Sequence, residues 1–372
     1  LPDAWPVQKD LIAWARQRVA RGGAGIKIRI VKGANLAMES VEAELHDWPL
    51  APYSSKEEVD ANFKRMVHEA CDPANAAVVR HGVASHNLFD IAYTLLLRAR
   101  EGVDARVEFE MLEGMANHQA RVVNESAGGL LLYAPVVNRD DFHSAIAYLV
   151  RRLDENTSEE NFLRDLFGMK PGDDAWKRQE ERFRRACARK DTVLAGPKRL
   201  QDRNRETVVA LPLDAPFHNE ADTDFSLPAN RKWARELIEA NRSAPIADIP
   251  LVIDGREEMT QHLEAGFDPS RPGVEAYRHA LAGPEEIERA LEAAVAARAS
   301  WKALGFEGRG ELLREVAAEI ERTRGEAIAT MLLDAGKAVS EADVEITEAI
   351  DFANYYTRRF PDDGAAFEPF AT

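Results

Sequence analysis

Several features are scarce in this 372-residue sequence, and each scarcity excludes a class of protein. There are only two cysteines, Cys71 and Cys187, and they lie far apart without a CxxC pairing. That pattern excludes a disulfide scaffold and a thiolate zinc site, and it suits a reducing cytoplasm. No apolar run approaches the ~20 residues that a membrane-spanning helix needs, and no signal peptide is recognised at the start.

Positive charge is also in deficit, since the formal net charge is −16. Nucleic acid is therefore excluded as a partner, because binding phosphate backbones requires a basic face. The sequence has no GxGxxG after a strand, no GxxxxGK[ST] and no HExxH. The nine histidines show no metal-ligand spacing, so we expect no metal site. A cofactor pyrophosphate would have to be held by side chains and strand-end amides, with Arg29, Lys32 and His86 as candidates.

The composition is otherwise that of a globular protein, with 45% hydrophobic and 30% charged residues. A chain of this length can form two or more hydrophobic cores. It begins LPDAWPVQKD without an initiator methionine and stops at PDDGAAFEPFAT. From these ends we expect a fragment of something longer.

Residues 1–170 alternate between strand-like and helix-like periodicity. The strand candidates are IKIRIV, AAVVRHGVAS, ARVEFEML and GLLLYAPV, each followed by an amphipathic helix. Repeated strand–helix units predict a parallel sheet. A closed (βα)₈ barrel needs eight strands and roughly 250 residues. We therefore interpret this segment as the C-terminal half of a (βα)₈ barrel, or else as a small doubly wound sheet.

The rest of the chain has a different character. Residues 171–224 contain a charged helix and then lose periodicity, which indicates an interdomain connection. Residues 225–372 are predicted to be mostly helical, with one short strand in PLVIDG. Ile287, Leu291 and Val295 fall at helical spacing and predict an apolar stripe.

Polar residues follow each predicted strand of the first segment. The strand ends carry Lys32-Gly33-Ala34, Ser85-His86-Asn87, Leu112-Glu113-Gly114 and Tyr133-Ala134-Pro135. Because active sites of parallel α/β folds gather at the carboxyl ends of strands, we expect these groups to face one site. Each feature alone is more often a strand exit, a helix cap or packing, but their ordered succession favours a site. On the first strand, Lys27 is expected to point outward.

The helix after the fourth strand adds two adjacent arginines, Arg151 and Arg152. They leave the helix about 100° apart, but their long side chains can converge on one carboxylate, which the planar guanidinium matches. Glu155 lies four positions after Arg151, close enough to hold its guanidinium. An arginine pair by itself is usually a solvated helix face.

The motifs RIVKGAN, ASHN, FEMLEGM, LYAPV and AYLVRRLDEN, in this order, resemble the proline dehydrogenase domain of the bifunctional bacterial proline utilization A flavoenzymes. The resemblance covers roughly residues 1–170. The segment from AVAARASWKALGF to AIDFANYY resembles the amino-terminal helices of the aldehyde dehydrogenase superfamily, and TDFSLPANRKWA resembles the lead into that domain. The implied organisation is a partial proline dehydrogenase barrel (1–170), a charged helix and linker (171–224) and the N-terminal part of an aldehyde dehydrogenase-like α/β domain (225–372), which lacks the catalytic cysteine.

The resemblance also implies roles for individual residues. It implies FAD contacts from Arg29, Lys32, Gly33, Ala34, His86, Asn87 and Phe162. It implies proline contacts from Leu112, Tyr133, Arg151, Arg152 and Glu155. The residues implied to act in catalysis are Arg29, Lys32, Tyr133, Arg151 and Arg152.

The implied reaction is oxidation of L-proline to Δ1-pyrroline-5-carboxylate by hydride transfer to the flavin N5. The second domain would oxidise glutamate semialdehyde to glutamate with NAD. A membrane quinone would accept the electrons, so we expect a cytoplasmic bacterial enzyme with peripheral contact to the inner membrane and a homo-oligomeric full-length form. The 372-residue chain is itself expected to be incomplete for both activities. Two alternatives stay open: a flavin barrel acting on another small amino or imino acid, and an inactive truncated chain.

Overall fold

In the computed structural model, the described residues are 1–33, 36–157, 161–166, 168–242 and 247–357, with only the backbone described at 154–157, 242 and 247. The chain divides into two compact units. Unit 1 comprises Leu1–Ala43 and Pro49–Lys198, and unit 2 comprises Glu44–Trp48 and the chain from Arg199 onward. No helix in these described ranges is both long enough and apolar enough to cross a membrane.

The elements up to Lys198 alternate helices and strands. They are α1 (Ala4–Ala20), β1 (Ile26–Ile30), α2 (Leu36–Leu45), α3 (Lys56–Cys71), α4 (Pro73–Ala76), β2 (Val79–Ala84), α5 (Leu88–Glu101), β3 (Val107–Leu112), α6 (Asn117–Ala127), β4 (Leu131–Tyr133), a 3₁₀ turn (Arg139–Asp141), α7 (Phe142–Thr157), α8 (Phe162–Leu166) and α9 (Asp174–Arg189). The four strands form one parallel sheet in the order β1-β2-β3-β4. The predicted parallel sheet is therefore confirmed, and sequential neighbours joined by helices are the pattern of successive βα units.

Local signals explain where the helices of unit 1 begin and end. Ser55 is the N-cap of α3 and accepts a hydrogen bond from the Glu58 amide. Asn87 caps α5 by accepting from the amides of Phe89 and Asp90. These caps satisfy amides that no helical carbonyl can reach.

The two faces of the sheet differ in chemistry. One face packs against α3 and α5 through a core that includes Ile30, Phe63, Val83, Phe109 and Met111, all buried. Each such side chain contributes about 1.5–3 kcal/mol when it is removed from water. The opposite face carries charged side chains, and it is this face that begins the candidate site.

Unit 2 combines helices with short strands. Its elements are α10 (Pro228–Arg242), β5 (Ala247–Ile249), β6 (Leu251–Ile253), β7 (Arg256–Glu258), β8 (Leu263–Phe267), β9 (Glu275–Ala280), α11 (Pro284–Ala303), α12 (Gly305–Arg322), α13 (Arg324–Asp334) and α14 (Val339–Tyr355). One sheet has the order β5-β9-β8, and β6 and β7 form an antiparallel pair. Its core is built around Trp233, Ile328, Ile346 and Ile350.

Two sequence expectations for unit 2 differ from the structure. Of the five strands among the described residues of unit 2, only β6 was predicted. The apolar stripe of Ile287, Leu291 and Val295 does lie on a helix, α11, but these side chains are 53–73% exposed among the described residues.

Candidate functional site

The carboxyl ends of the four parallel strands open onto one cavity of about 540 Å³. Each strand end contributes at least one side chain to its lining: Lys32 after β1, His86 after β2, Leu112 at the end of β3 and Tyr133 at the end of β4. Parallel strands bring their ends to one edge of the sheet, so groups far apart in sequence meet there. The predicted convergence of these four strand ends is therefore present.

A buried ion cluster forms the floor of the cavity beside β1. The Lys32 Nζ lies 2.6 Å from Asp60 Oδ1 and 2.5 Å from Asp90 Oδ2. The Lys64 Nζ lies 3.0 Å from the other oxygen of Asp90, and the Lys56 Nζ lies 2.6 Å from Asp60 Oδ1. Three ammonium groups thus share two carboxylates, which leaves the cluster with one excess positive charge.

The charges of this cluster stabilise one another. Burial by itself would lower the pKa of Lys32, but attraction to Asp60 and Asp90 outweighs it and raises the pKa above its ordinary value. Burial opposes ionisation of Asp90, yet Lys32 and Lys64 outweigh it and lower the pKa of that carboxyl. Lys56 has its pKa lowered, by burial first and then by repulsion from Lys32. All ionised partners are held in place because separation would leave buried charge uncompensated.

A second ionic contact runs across the face of the sheet. The Arg29 Nε lies 2.6 Å from Glu110 Oε2, and the Lys27 Nζ lies 2.8 Å from Glu110 Oε1. Lys27, expected to point outward, thus shares a carboxylate with Arg29. Glu110 is 4% exposed and lies over Gly82, where any Cβ would come within 2.1 Å of the carboxylate. Glycine at this position therefore makes room for the ion pair.

His86 lines the cavity and carries a hydrogen-bond donor that has no partner among the described residues. Its Nε2 accepts the Leu112 backbone N–H at 3.1 Å, and burial lowers the pKa of the ring to about 4. The ring is therefore neutral near pH 7, and its single proton must lie on Nδ1 because Nε2 is an acceptor. Nδ1 is buried and has no hydrogen-bond partner among the described residues. A ligand acceptor could satisfy it.

Asn87 acts through the backbone of its own helix. Its side-chain oxygen caps α5, and its amide donates to Ser85 Oγ at 3.1 Å. This network fixes the turn between β2 and α5, and so fixes the direction of the His86 ring. Gly33, directly after Lys32, has φ of +91°, a conformation that only glycine adopts readily.

Aromatic and cationic side chains line the cavity near β4. The Tyr133 and Tyr148 rings contact edge to face at 6.4 Å, and the Arg29 guanidinium lies 5.0 Å from the Tyr133 ring centroid. Arg152 lines the cavity, with its guanidinium 5.3 Å from the Tyr148 ring. Arg151 lies 5.9 Å from the same ring but is not among the lining residues. The structure thus brings one arginine of the pair to the cavity.

Another aromatic group lies where α5, α8 and α9 meet. The ring centroid of Phe89 lies 6.5 Å from that of Phe162 and 5.7 Å from that of Phe183. The Lys64 Nζ lies 4.7 Å from the Phe183 ring centroid. Phe162 and Phe183 both line the cavity, together with Gln179 and Arg182. The wall here consists of residues from α8 and α9.

The charge balance of the cavity is opposite to that of the whole chain. Its described lining includes six cationic side chains and three carboxylates, an excess of three positive charges in a chain of net charge −16. The cations are Arg29, Lys32, Lys56, Lys64, Arg152 and Arg182, and the carboxylates are Asp60, Asp90 and Glu110. A cavity of this kind is suited to an anionic ligand.

Most of the residues singled out from the sequence meet in this cavity. Those that line it are Arg29, Lys32, Gly33, His86, Asn87, Leu112, Tyr133, Arg152 and Phe162. The predictions for Ala34 and for the side chain of Glu155 fall outside the described part of the chain.

Sequence reasoning missed the ion cluster and the α9 wall. Asp60 and Lys64 are four positions apart on α3, a spacing that usually marks a solvated surface pair. Asp90 lies in the first turn of α5, where an acidic residue is common for helix reasons alone. The available signal was weak: Lys32 comes shortly after β1, and α3 is the second helix after that strand.

Comparison with known proteins identifies two family segments. Residues 1–165 match the model described as proline dehydrogenase, and residues 260–367 match the model described as the aldehyde dehydrogenase family. The first segment is thus similar to proline dehydrogenases and the later one to aldehyde dehydrogenases, in the order that the motifs predicted.

Solved structures of proline utilization A resemble nearly the whole chain. The Corynebacterium freiburgense structure is 35% identical with a TM-score of 0.69, over 96% of this chain and 30% of that one. The structure from Bdellovibrio bacteriovorus, inactivated by N-propargylglycine, is 28% identical with a TM-score of 0.77, over 94% of this chain and 34% of that one. Among curated proteins, 1-pyrroline-5-carboxylate dehydrogenase of Anoxybacillus flavithermus is 34% identical over 39% of this chain and 28% of its own length. The chain therefore spans about a third or less of each relative.

Proposed function

We propose that unit 1 binds FAD and L-proline and takes part in oxidising proline to Δ1-pyrroline-5-carboxylate. The observation that carries this proposal is the cation-rich cavity at the four strand ends, in a segment that matches the proline dehydrogenase family. We assign residues 1–170 to the proline dehydrogenase domain and residues 171–224 to a connection. Residues 225–372 are assigned to part of an aldehyde dehydrogenase-like domain.

The charge excess supports these two ligands together. The diphosphate of FAD carries about two negative charges, one per phosphate, and the proline carboxylate carries one more. Their sum equals the excess of three positive charges in the described lining. An anionic ligand is therefore better matched to the described lining than an uncharged one.

The substrate end is assigned to the side chains near β4. Arg152 would bind the proline carboxylate through its planar guanidinium, and Arg151 and Glu155 would support it. Leu112 and Tyr133 would pack against the apolar carbons of the ring. Arg29 is fixed by Glu110 and Tyr133, so its charge stays at the boundary between substrate and cofactor.

The cofactor end is assigned to the first two strand ends. The Nδ1–H of His86 and the ammonium of Lys32 would contact acidic oxygens of FAD, since both residues line the cavity and His86 Nδ1 lacks a partner among the described residues. Gly33, Ala34 and Asn87 would shape the loops beside it, and Phe162 would pack near the adenine. The orphaned donor, the excess charge and the aromatic wall all fit this cofactor.

The chain's residues would contribute orientation and charge neutralisation rather than covalent chemistry. Bound FAD supplies the acceptor for the hydride that leaves the proline ring. Arg152 would hold the carboxylate in one orientation, which fixes the ring carbon that reacts. Arg29 and Lys32 would be the catalytic cations, because they compensate negative charge close to the reacting groups. Tyr133 would exclude water from one side of the ring.

The test is to express the protein that contains these 372 residues, titrate it with FAD, and assay proline-dependent dye reduction. We expect stoichiometric flavin binding and reduction of the dye. A failure to bind flavin would exclude the proposal. A panel of small amino and imino acids, run under the same conditions, tests the alternative that another carboxylate is preferred.

The second segment supports a further activity for the protein that contains it. Because residues 260–367 match the aldehyde dehydrogenase family, we assign NAD-dependent oxidation of glutamate semialdehyde to the domain that includes them. A quinone acceptor, peripheral contact with the bacterial inner membrane, a cytoplasmic location and homo-oligomerisation complete the proposal. Assay of NADH formation from the semialdehyde checks the second activity.

A further inference from the structure

Helix α9 forms one wall of the cavity, although neither matched family segment includes it. It spans Asp174–Arg189, whereas the matches cover residues 1–165 and 260–367. Three of its residues, Gln179, Arg182 and Phe183, line the cavity. The helix is therefore part of the site and not only a connection.

Two contacts hold α9 in its position against the cavity. The Gln179 Nε2 donates to Asp165 Oδ2 at 2.8 Å, which attaches α9 to α8. Phe183 stacks on Phe89, with 5.7 Å between the ring centroids. Arg182 follows Gln179 by three positions, so it shares that face of the helix. Its backbone is fixed by the contacts on either side.

Arg182 differs from its neighbours on the same helix. Arg178, Arg184, Arg185 and Arg189 each pair with a carboxylate within 3.3 Å. Arg182 makes no ion pair with any described residue, and its Nη1 is buried without a hydrogen-bond partner there. A buried N–H without an acceptor is unfavourable, so the group is expected to find its acceptor in a ligand.

We propose that Arg182 binds the adenosine-side phosphate of FAD and that α9 thereby selects FAD over FMN. This rests on the proposed function, which places FAD in this cavity. Arg182 lies beside Phe183, whose neighbour Phe89 also contacts Phe162, the residue assigned to the adenine end. A guanidinium donates two parallel hydrogen bonds to a phosphate, which suits this task.

The test compares Arg182→Gln with the matched control Arg184→Gln in the protein that contains these residues. Arg184 lies on the same helix, but it is 74% exposed and pairs with Glu180. Dissociation constants for FAD, FMN and ADP are measured by equilibrium titration, without any turnover. We expect Arg182→Gln to weaken FAD and ADP binding about tenfold or more and to leave FMN binding unchanged. Arg184→Gln should bind all three ligands like the wild type. The FAD affinity of Arg182→Lys should lie between those of the wild type and Arg182→Gln.

Each outcome has a separate meaning. Unchanged FAD binding in Arg182→Gln overturns the role of Arg182 and leaves the proposed function intact. An equal loss of FMN and FAD affinity overturns the assignment to the adenosine side. If the wild type binds no flavin, both the proposed function and this inference fail. Circular dichroism and thermal melting of each variant establish that folding is not the cause of any loss.

Discussion

Replacing Asp90 by asparagine tests the buried ion cluster directly. Asp90 is 1% exposed and is shared by Lys32 and by Lys64, whose side chain is 2% exposed. The variant keeps the shape of the residue but raises the cluster's excess from one positive charge to two. Removing one partner of a buried pair costs about 3–5 kcal/mol, because the remaining charge stays buried. That is a large part of the about 5–15 kcal/mol by which domains are stable.

The size of this effect follows from the uncompensated charge of Lys32 and Lys64 and not from lost packing. We therefore expect Lys64→Met in the Asp90→Asn background to recover most of the stability, since an apolar side chain of similar length needs no counter-charge. The double variant should lie within about 2 kcal/mol of the wild type. The double-mutant cycle gives the coupling energy between the two positions.

Hydrogen exchange of peptides from α3 and α5, with urea unfolding of the whole chain, measures these differences. Exchange is informative because it reports on unit 1 separately from unit 2. Glu57→Gln is the control, since Glu57 lies on α3 but pairs at the surface with Arg185 and Arg189, and should cost under about 1 kcal/mol. The reasoning is refuted if Asp90→Asn costs as little as this control, or if the double variant loses the sum of the single losses.

Three further predictions follow from other contacts. Arg152→Met should raise the KM for proline at least tenfold with little loss of FAD affinity, as measured by steady-state kinetics and flavin titration. Gly82→Ala should displace the Glu110 carboxylate and lower stability by about 1–3 kcal/mol in urea unfolding, because the new Cβ would lie 2.1 Å from Glu110 Oε1. Burial and, next, repulsion from Glu321 raise the pKa of Glu220 to about 7. The contribution of Glu220 to stability should therefore fall as pH rises from 4.5 to 7, by at most about 3 kcal/mol. Thermal melts of the wild type and of Glu220→Gln at each pH measure that contribution as the difference between the two proteins.

Each of these has an outcome that would contradict it. An unchanged KM in Arg152→Met would remove the carboxylate assignment. Wild-type stability in Gly82→Ala would mean that the Glu110 carboxylate adjusts freely despite its two cationic partners. The sign for Glu220 follows because the folded state binds the proton more tightly than the unfolded chain, so a stability of the wild type that rises relative to Glu220→Gln over that pH range would contradict it. The comparison with Glu220→Gln cancels the opposite contribution of His86, whose lowered pKa makes stability rise with pH.

The sequence was informative about unit 1 where strand–helix periodicity coincides with polar residues at the strand ends. Four strand–helix repeats predict a parallel sheet, and such a sheet brings its strand ends together. Lys32, His86 and Tyr133 could therefore be placed near one another from the sequence alone. Which face of α3 would be buried could not be deduced. The same Asp60–Lys64 spacing serves a surface pair and a buried cluster equally well, and tertiary packing decides between them.

Short strands and the covering of helix faces mark a second limit on what the sequence can predict. Strands β5, β6 and β7 have three residues each, which is too short for alternation to be recognised. Strand β6 was predicted because it is the continuous apolar run LVI, whereas β5 and β7 are ADI and REE. For α11 the period was right, but periodicity says only that a helix has an apolar face, not what covers it. Arg182 was missed for a related reason, since one of five arginines on a charged helix is distinguished only by its lack of a partner among the described residues.

The position of α9 has a consequence for how the two matched segments could be separated. A cut placed where the proline dehydrogenase match ends, at residue 165, would yield a fragment without the helix that covers Lys64 with Phe183 and supplies Arg182. Such a fragment would lose a wall of its own site, although no residue of the matched family segment had been removed. A cut after Lys198 instead keeps α9 with the rest of unit 1, although Glu44–Trp48 of unit 2 stays with it. Modularity here follows three-dimensional packing and not the boundary of sequence similarity.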